Sequence, residues 1–356
     1  MKIAILGLPG AGKKTIFKLL TGRESPVSGQ RRLNEVVTGI APVRDPRVDK
    51  IVEMVHPQKI TYAQTEFVLC NDIDDTNSTN NTSDLGNWFA EGRLADLLFV
   101  VVRDFAAEEV YHPAGSVNAA RDKENITTEL ILKDLELLEK RLERMAKDRV
   151  KNRPTPQQQL EEQVLSKCRP FLEDSKCLRT VEMTSEEKSA ISSLNFLTRK
   201  PILWCYNIDE TKVKLFSATE RDANEFHISA KIEQEIMEIA DSNERSIYLQ
   251  EVGITTPGID RLNALAYDLL GLMSFYTMGK DEARAWTIRK GTPAPKAAGK
   301  IHSDLERGFI RVEITKYDDL LKYGGEQQIK AAGKAMVKGH DYIIADGDIC
   351  NFLFKV

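Results

Sequence analysis

Gly7-Leu8-Pro9-Gly10-Ala11-Gly12-Lys13-Lys14-Thr15 follows the apolar run Ile3-Ala4-Ile5-Leu6 and leads into Thr15-Ile16-Phe17-Lys18-Leu19-Leu20. The order is strand, glycine-rich turn, helix. Glycines at the first and sixth places followed by lysine meet the pattern of a phosphate-binding loop everywhere except the last place, where Lys14 replaces serine or threonine. In such a turn, glycines let backbone N–H groups converge on an anion, and the helix N-terminus adds partial positive charge. Lys13 is placed to reach the outer phosphates. The hydroxyl missing at position 14 is the one that ordinarily holds Mg²⁺ beside the phosphates, and an ammonium cannot coordinate a cation. Lys14 either neutralises phosphate charge itself or points to solvent, and Thr15, one place further on, is a poor geometrical substitute.

The rest of the composition sets limits. A chain of 356 residues exceeds one compact core and predicts two or three domains. A net charge of -4 with 29% charged residues excludes a strongly basic nucleic-acid binder, so any RNA surface is local and no DNA sequence specificity is expected. Cys70, Cys168, Cys177, Cys205 and Cys350 are scattered without a Cys-x-x-Cys pair, which implies free thiols, a reducing compartment and no cysteine-based metal site. The short N-terminal apolar run, broken by Gly7 and Pro9, reads as a core strand and not a signal peptide. No stretch reaches the roughly 18 uncharged apolar residues of a membrane span. The expectation is a cytoplasmic monomer without a membrane partner.

Further along, Val36 to Val43 and Thr65 to Cys70 read as strands, and Asp45-Pro46-Arg47 opens a helix through Val48, Ile51 and Val55. Residues 76–83 form a polar tract with no apolar anchor. Leu97-Leu98-Phe99-Val100-Val101-Val102 is a continuous run of the kind found in a central parallel strand. From Asn125, read as the N-cap, the seam Ile131, Leu135, Leu138, Leu142 and Met145 predicts a coiled-coil helix. Pro154 and Pro156 break it, and a second helix carries Leu160, Val164, Cys168 and Phe171. The tip of this antiparallel arm gathers Arg141, Arg144, Lys147, Arg149, Lys151 and Arg153, either a solvated helix face or a phosphate-backbone contact. Thr184 and Glu187 have capping-box spacing before a helix through Ile191 and Leu194. Pro201 to Tyr206 resumes the strands and ends in Asn207-Ile208-Asp209-Glu210, and Glu225 to Ile228 ends in Ser229-Ala230-Lys231. Leu262, Leu265, Leu269 and Leu272 predict a helix finishing near Gly279. Beyond it, strands at 285–288, 309–314, 342–344 and 352–356 and a helix through Ile329, Ala332 and Met336 predict a small α+β domain.

These residues resemble the YchF subfamily of Obg-like P-loop ATPases and GTPases, and the resemblance covers essentially the whole chain. Its most specific part is Arg284-Ala285-Trp286-Thr287-Ile288, Ala297 to Asp304, Glu306-Arg307-Gly308-Phe309-Ile310-Arg311, Tyr323-Gly324-Gly325 and Asp346-Gly347-Asp348, which is similar to the family's TGS domain, a β-grasp module. The resemblance implies an α/β P-loop NTPase parallel sheet (1–125 and 200–277), an inserted α-helical coiled-coil domain (126–199) and a C-terminal α+β TGS domain (278–356), with binding of ATP or GTP and of ribosomes or RNA. The nucleotide contacts it implies are Gly7, Pro9, Gly10, Ala11, Gly12, Lys13, Lys14, Thr15, Asn207, Ile208, Glu210, Ser229 and Ala230. The RNA or partner contacts expected are Arg141, Arg144, Lys147 and Arg149. Typical GTPases read guanine through Asn-Lys-x-Asp. Ile208 and Glu210 stand in the lysine and aspartate places, the longer glutamate displaces the carboxylate, and selection for guanine should weaken. In the family, the Asn-x-x-Glu variant goes with use of ATP.

The departures concern the metal. Leu69-Cys70-Asn71-Asp72 stands where the family has Asp-x-x-Gly, and the first-switch threonine falls on Leu33. With Lys14, three positions that serve one Mg²⁺ and one γ-phosphate have changed. Thr15 and Asp72 are the remaining candidate metal donors, with Asp74 and Asp75 as alternatives from a shifted loop. Phosphoryl transfer depends on metal and positioning. Three readings follow: a nucleotide-binding regulatory factor with weak hydrolysis, an active Mg²⁺-dependent ATPase or GTPase with a rearranged site, or a nucleotide-independent scaffold.

Overall fold

The computed structural model describes residues 1–24, 37–73, 88–151, 153–216, 224–254 and 256–355. Leu33, Asp74 and Asp75 and the polar tract lie outside the described residues. In chain order the elements are β1 (Lys2–Gly7), α1 (Lys13–Thr21), β2 (Val37–Val43), α2 (Pro46–Val55), β3 (Lys59–Thr61), β4 (Ala63–Leu69), α3 (Trp88–Leu94), β5 (Leu97–Asp104), α4 (Ala119–Lys151), α5 (Pro156–Glu173), α6 (Ser185–Ala190), β6 (Ile202–Ile208), α7 (Val213–Phe216), β7 (Glu225–Ile228), α8 (Ala230–Glu238), α9 (Ser242–Val252) and α10 (Gly258–Leu269). Then follow β8 (Leu272–Met278), β9 (Glu282–Arg289), α11 (Ala294–Ile301), α12 (Ser303–Arg307), β10 (Phe309–Lys316), α13 (Tyr317–Tyr323), α14 (Glu326–Ala331), β11 (Met336–Lys338) and β12 (Asp348–Phe354). The chain divides into two compact units, Met1–Ile40 with Glu66–Ile259, and Ala41–Thr65 with Asp260–Val356.

The first unit is built on a sheet of order β2-β4-β1-β5-β6-β7. β1 pairs in parallel with β4 and β5, and β5–β6 and β6–β7 are also parallel. Leu97 to Val102 are all buried, as the continuous apolar run requires for a strand covered on both faces. Helices α4 and α5 pair through a core that includes Ile131, Leu138, Val164, Leu165 and Cys168. Burial pushes the Cys168 thiol up to about 11, so it stays protonated as an apolar packing group. The base of the pair is fixed by Asp134, which is fully buried. It accepts from Arg93 (2.8 Å), the Leu197 N–H (3.0 Å), the Thr198 N–H (2.7 Å) and the Thr198 hydroxyl (2.8 Å).

Several boundaries differ from the sequence reading, each for a local reason. Helix α4 begins at Ala119, because Asn118 accepts the Arg121 N–H at 3.0 Å and takes the capping role assigned to Asn125. Helix α6 keeps its capping box but stops at Ala190. Short 3₁₀ turns follow, and Asn195 adopts a left-handed conformation that a helix cannot continue. Helix α10 ends at Leu269, and Gly271 at φ 61° turns the chain into strand β8, so Leu272 lies in a sheet although its spacing is helical. Residues 342–344 contribute only a single bridge, Pro293 to Ile343. Met336 lies in β11 and not in the helix, which Gly333 at φ 65° closes off.

The second unit carries a sheet of order β11-β10-β12-β8-β9-β3. Antiparallel β10–β12 and β8–β9 pairs meet in a parallel β12–β8 pair, and Phe275, Ile288, Ala298, Val312, Ile314 and Phe352 fill one face. Segment 41–65 is tied in through its charged residues. Asp45 caps α2 by accepting the Arg47 N–H at 3.0 Å, the Tyr276 hydroxyl donates to the same carboxylate, and Arg47 reaches Asp346 at 2.6 Å. Burial pushes the Asp45 carboxyl up, but hydrogen bonds from Arg47 and Tyr276 outweigh it and leave it below its ordinary value. Among the described residues, no helix is long and apolar enough to cross a membrane.

Candidate nucleotide-binding site

The loop after β1 has the backbone of an anion cradle. Gly10 and Gly12 adopt φ 73° and 94°, which side-chain-bearing residues rarely tolerate. Space forbids a side chain as well: a Cβ on Gly10 would lie 2.8 Å from the Tyr111 carbonyl, and one on Gly12 2.3 Å from the Asn207 side chain. Lys13 opens α1 and is 5% exposed. Its Nζ donates to the Gly7 carbonyl (2.7 Å) and the Leu8 carbonyl (2.6 Å), and lies 2.6 Å from Asp72 Oδ1. Lys14 is exposed and Thr15 half-buried on the first turn of α1, while Pro9 is half-buried and Ala11 buried.

The strand ends beyond β6 and β7 meet this loop through one residue. Asn207 is buried. Its Nδ2 donates to the Ala11 carbonyl (3.1 Å), and its Oδ1 accepts the Ala230 N–H (3.1 Å). Ile208 and Ser229 are buried beside it. Glu210, by contrast, is exposed and ion-paired with Lys231. Asp209 accepts the Thr211 N–H at 3.1 Å and its hydroxyl at 2.9 Å, and these bonds hold its carboxyl below the usual range. The structure thus gathers Asn207, Ser229 and Ala230 with the loop and leaves Glu210 on the surface above them.

Three side chains that the linear sequence does not place at the site complete the surroundings. Arg103, 3% exposed at the end of β5, donates to the carbonyls of Phe105, Ala107 and Val110 and so fixes the segment that overlies Gly10. His112 Nδ1 accepts the Ala114 N–H at 3.2 Å, which leaves Nε2–H to donate to Asp122 at 2.9 Å. Asp122 also lines a cavity of about 160 Å³ behind Leu8 and Ile73. Position 103 is legible only as a charge closing an apolar strand; the His112–Asp122 pair depends on a loop returning to α4.

The arm's cations are not equivalent. Arg141 is bidentate to the buried Glu161 at 2.8 Å to each oxygen, and Arg149 pairs with Glu162. Arg144 and Lys147 are exposed and make no ion pair with a described residue. The first two are consumed in holding α4 to α5.

Among the described residues, the hydroxyl that ordinarily holds Mg²⁺ beside the loop is missing. The place of the coordinating hydroxyl is an ammonium at Lys14, and the Asp72 carboxylate is turned to Lys13. Among the described residues no three His, Cys, Asp or Glu side chains cluster as a metal site.

A parallel sheet whose first strand runs into a left-handed glycine loop, a buried lysine and a helix N-terminus defines an α/β protein of the P-loop class. The comparisons with known proteins carry this further. A family model, YchF-GTPase_C, described as a protein of unknown function (DUF933), matches residues 272–355. The Ribosome-binding ATPase YchF of Escherichia coli O157:H7 is 38% identical over 371 residues, covering 100% of this chain and 99% of that protein. That of Bacillus subtilis (strain 168) is 38% identical over 367 residues, with 99% and 98% covered. The structure of the Schizosaccharomyces pombe YchF GTPase superposes with a TM-score of 0.81 at 29% identity, over 99% of this chain and 97% of that one. The chain belongs to the YchF family.

Proposed function

We propose that this chain is a purine-nucleotide-binding regulatory factor of the ribosome, with hydrolysis weak because its Mg²⁺ and switch positions are replaced. The observation that carries the nucleotide part is the loop itself, with Gly10 and Gly12 in the left-handed conformations that a phosphate cradle uses and Lys13 buried beside them. Phosphates are held by the loop backbone from Gly7 to Gly12, by Lys13 and by the α1 N-terminus. Asn207 sets the distance between this cradle and the base side, where Ile208, Glu210, Ser229 and Ala230 stand. Glu210 in place of aspartate favours ATP over GTP. The ribosomal part rests on the relatives, which are named ribosome-binding ATPases. The helical arm (126–199) with Arg144 and Lys147, and a TGS-like C-terminal module, are the surfaces assigned to it. The protein works in the cytoplasm as a monomer.

Calorimetric titration with ATP, GTP and their diphosphates, beside co-sedimentation with ribosomes, tests this reading. Binding in the micromolar range with turnover well below that of an active relative measured in parallel is the expected result. Mg²⁺-dependent turnover equal to that relative would favour an active enzyme with a rearranged site, and absence of any nucleotide binding a nucleotide-independent scaffold.

A further inference from the structure

The Lys13 ammonium meets an anion supplied by the chain. Asp72 Oδ1 lies 2.6 Å from Nζ, and the backbone on either side of Asp72 is fastened to β1. The Cys70 N–H donates to the Ile5 carbonyl at 3.1 Å, and the Ile73 N–H to the Gly7 carbonyl at 3.2 Å. Ile73 is 1% exposed and part of the sheet's core. The Gly7 carbonyl also accepts from Lys13, so one backbone group positions both members of the ion pair. Asp72 itself is half open to solvent, with its side chain 51% exposed. Its backbone is anchored beside the cradle while its side chain stays open to solvent.

In a phosphate-binding loop, the backbone N–H groups cradle the inner phosphates and the lysine reaches the outermost ones. A carboxylate already on that ammonium competes with the outermost phosphate for the lysine, and two negative charges sharing one cation repel each other. We propose that Asp72 is a built-in surrogate for the γ-phosphate, which makes the cradle select nucleoside diphosphates over triphosphates. This rests on the nucleotide-binding reading above and gives that site its ligand class: two phosphates are held by the loop, and a third has to displace Asp72 from Lys13. The exposed side of Asp72 gives its side chain room to swing away, so selection is a matter of affinity and not of closure. The same contact keeps the lysine from the bond that hydrolysis would break.

The test titrates the full chain, wild type and Asp72→Asn, with ADP and with a non-hydrolysable ATP analogue, with Asp72→Ser as a second variant should the first fold poorly by circular dichroism. Wild type should bind ADP more tightly than the analogue. Asp72→Asn should tighten the analogue by about tenfold, a magnitude discounted for a carboxylate half open to solvent, and should change ADP far less. If wild type binds both ligands equally, or if neither variant alters their ratio, the surrogate role is overturned while nucleotide binding stands. If no nucleotide binds to wild type or variants, both readings fall together.

Discussion

The Asn207 side-chain amide is bonded to the Ala11 carbonyl at 3.1 Å, joining the phosphate loop to the end of a strand 196 residues later in the sequence. Because the other end of the same amide holds the Ala230 N–H, one residue sets the spacing of three segments. Asn207→Ala should cost about 2 kcal/mol of stability, since it strands a buried acceptor and a buried donor. Nucleotide affinity should fall with it. Thermal melts and titrations of the same preparation check both, and an unchanged melting temperature would remove the clamp from the account.

The Asp45–Tyr276–Arg47 network makes a prediction about pH. The folded carboxyl of Asp45 lies below its ordinary 3.8, so its contribution is complete above that value and is lost as pH falls through the lower folded one. Burial, with the Asp45 charge, raises the Tyr276 hydroxyl above its ordinary 10.0, so that contribution is complete below pH 10 and declines above it. The stability gap between wild type and Tyr276→Phe should therefore be level near neutrality and close at alkaline pH. Asp45→Asn should close its gap at the acid end instead, as followed by urea unfolding across the range.

Asp134 accepts four hydrogen bonds without solvent. Asp134→Ala leaves the Leu197 and Thr198 N–H groups without an acceptor, while Arg93 keeps its bond to the Lys133 carbonyl at 2.9 Å, and should cost about 3 kcal/mol, the scale of two stranded buried donors. A lowered denaturant midpoint with preserved helical circular dichroism is the expected result.

Charge reversal at the arm should separate binding from stability. Arg144→Glu with Lys147→Glu should weaken ribosome co-sedimentation and leave the unfolding free energy within about 0.5 kcal/mol of wild type, as exposed substitutions do. Arg141→Glu should lower the melting temperature, because Glu161 is then buried beside a like charge. Equal loss of stability in both variants would count against the distinction.

The parallel sheet was legible because its signals are local: the apolar run of β5, the glycine loop, the capping box at Thr184 and the N-cap at Asp45 each act within a few residues. Strand β8 was hidden because Leu272 continues the spacing of Leu262, Leu265 and Leu269, and only the turn at Gly271 breaks the helix. Asp72 could be placed next to a missing metal by sequence, but its contact with Lys13 depends on the register of β4 against β1, which no local pattern carries. The same holds for Asn207, whose partners lie in two other segments. Arg141 and Arg149 read as free positive charge until the pairing of α4 with α5 placed Glu161 and Glu162 opposite them.

Residues 41–65 contribute β3 and α2 to a unit whose remaining strands lie beyond residue 260. On a translating ribosome, at about 5–20 residues per second, roughly 10–40 s pass between synthesis of this segment and of its sheet partners. Until then β3, which pairs with β9 through Lys59, Ile60 and Thr61, has no neighbour in its own sheet. The last hundred residues expressed alone would lack an edge strand and the helix carrying Asp45 and Arg47, so the second unit cannot assemble until two segments made far apart in time have both been synthesised.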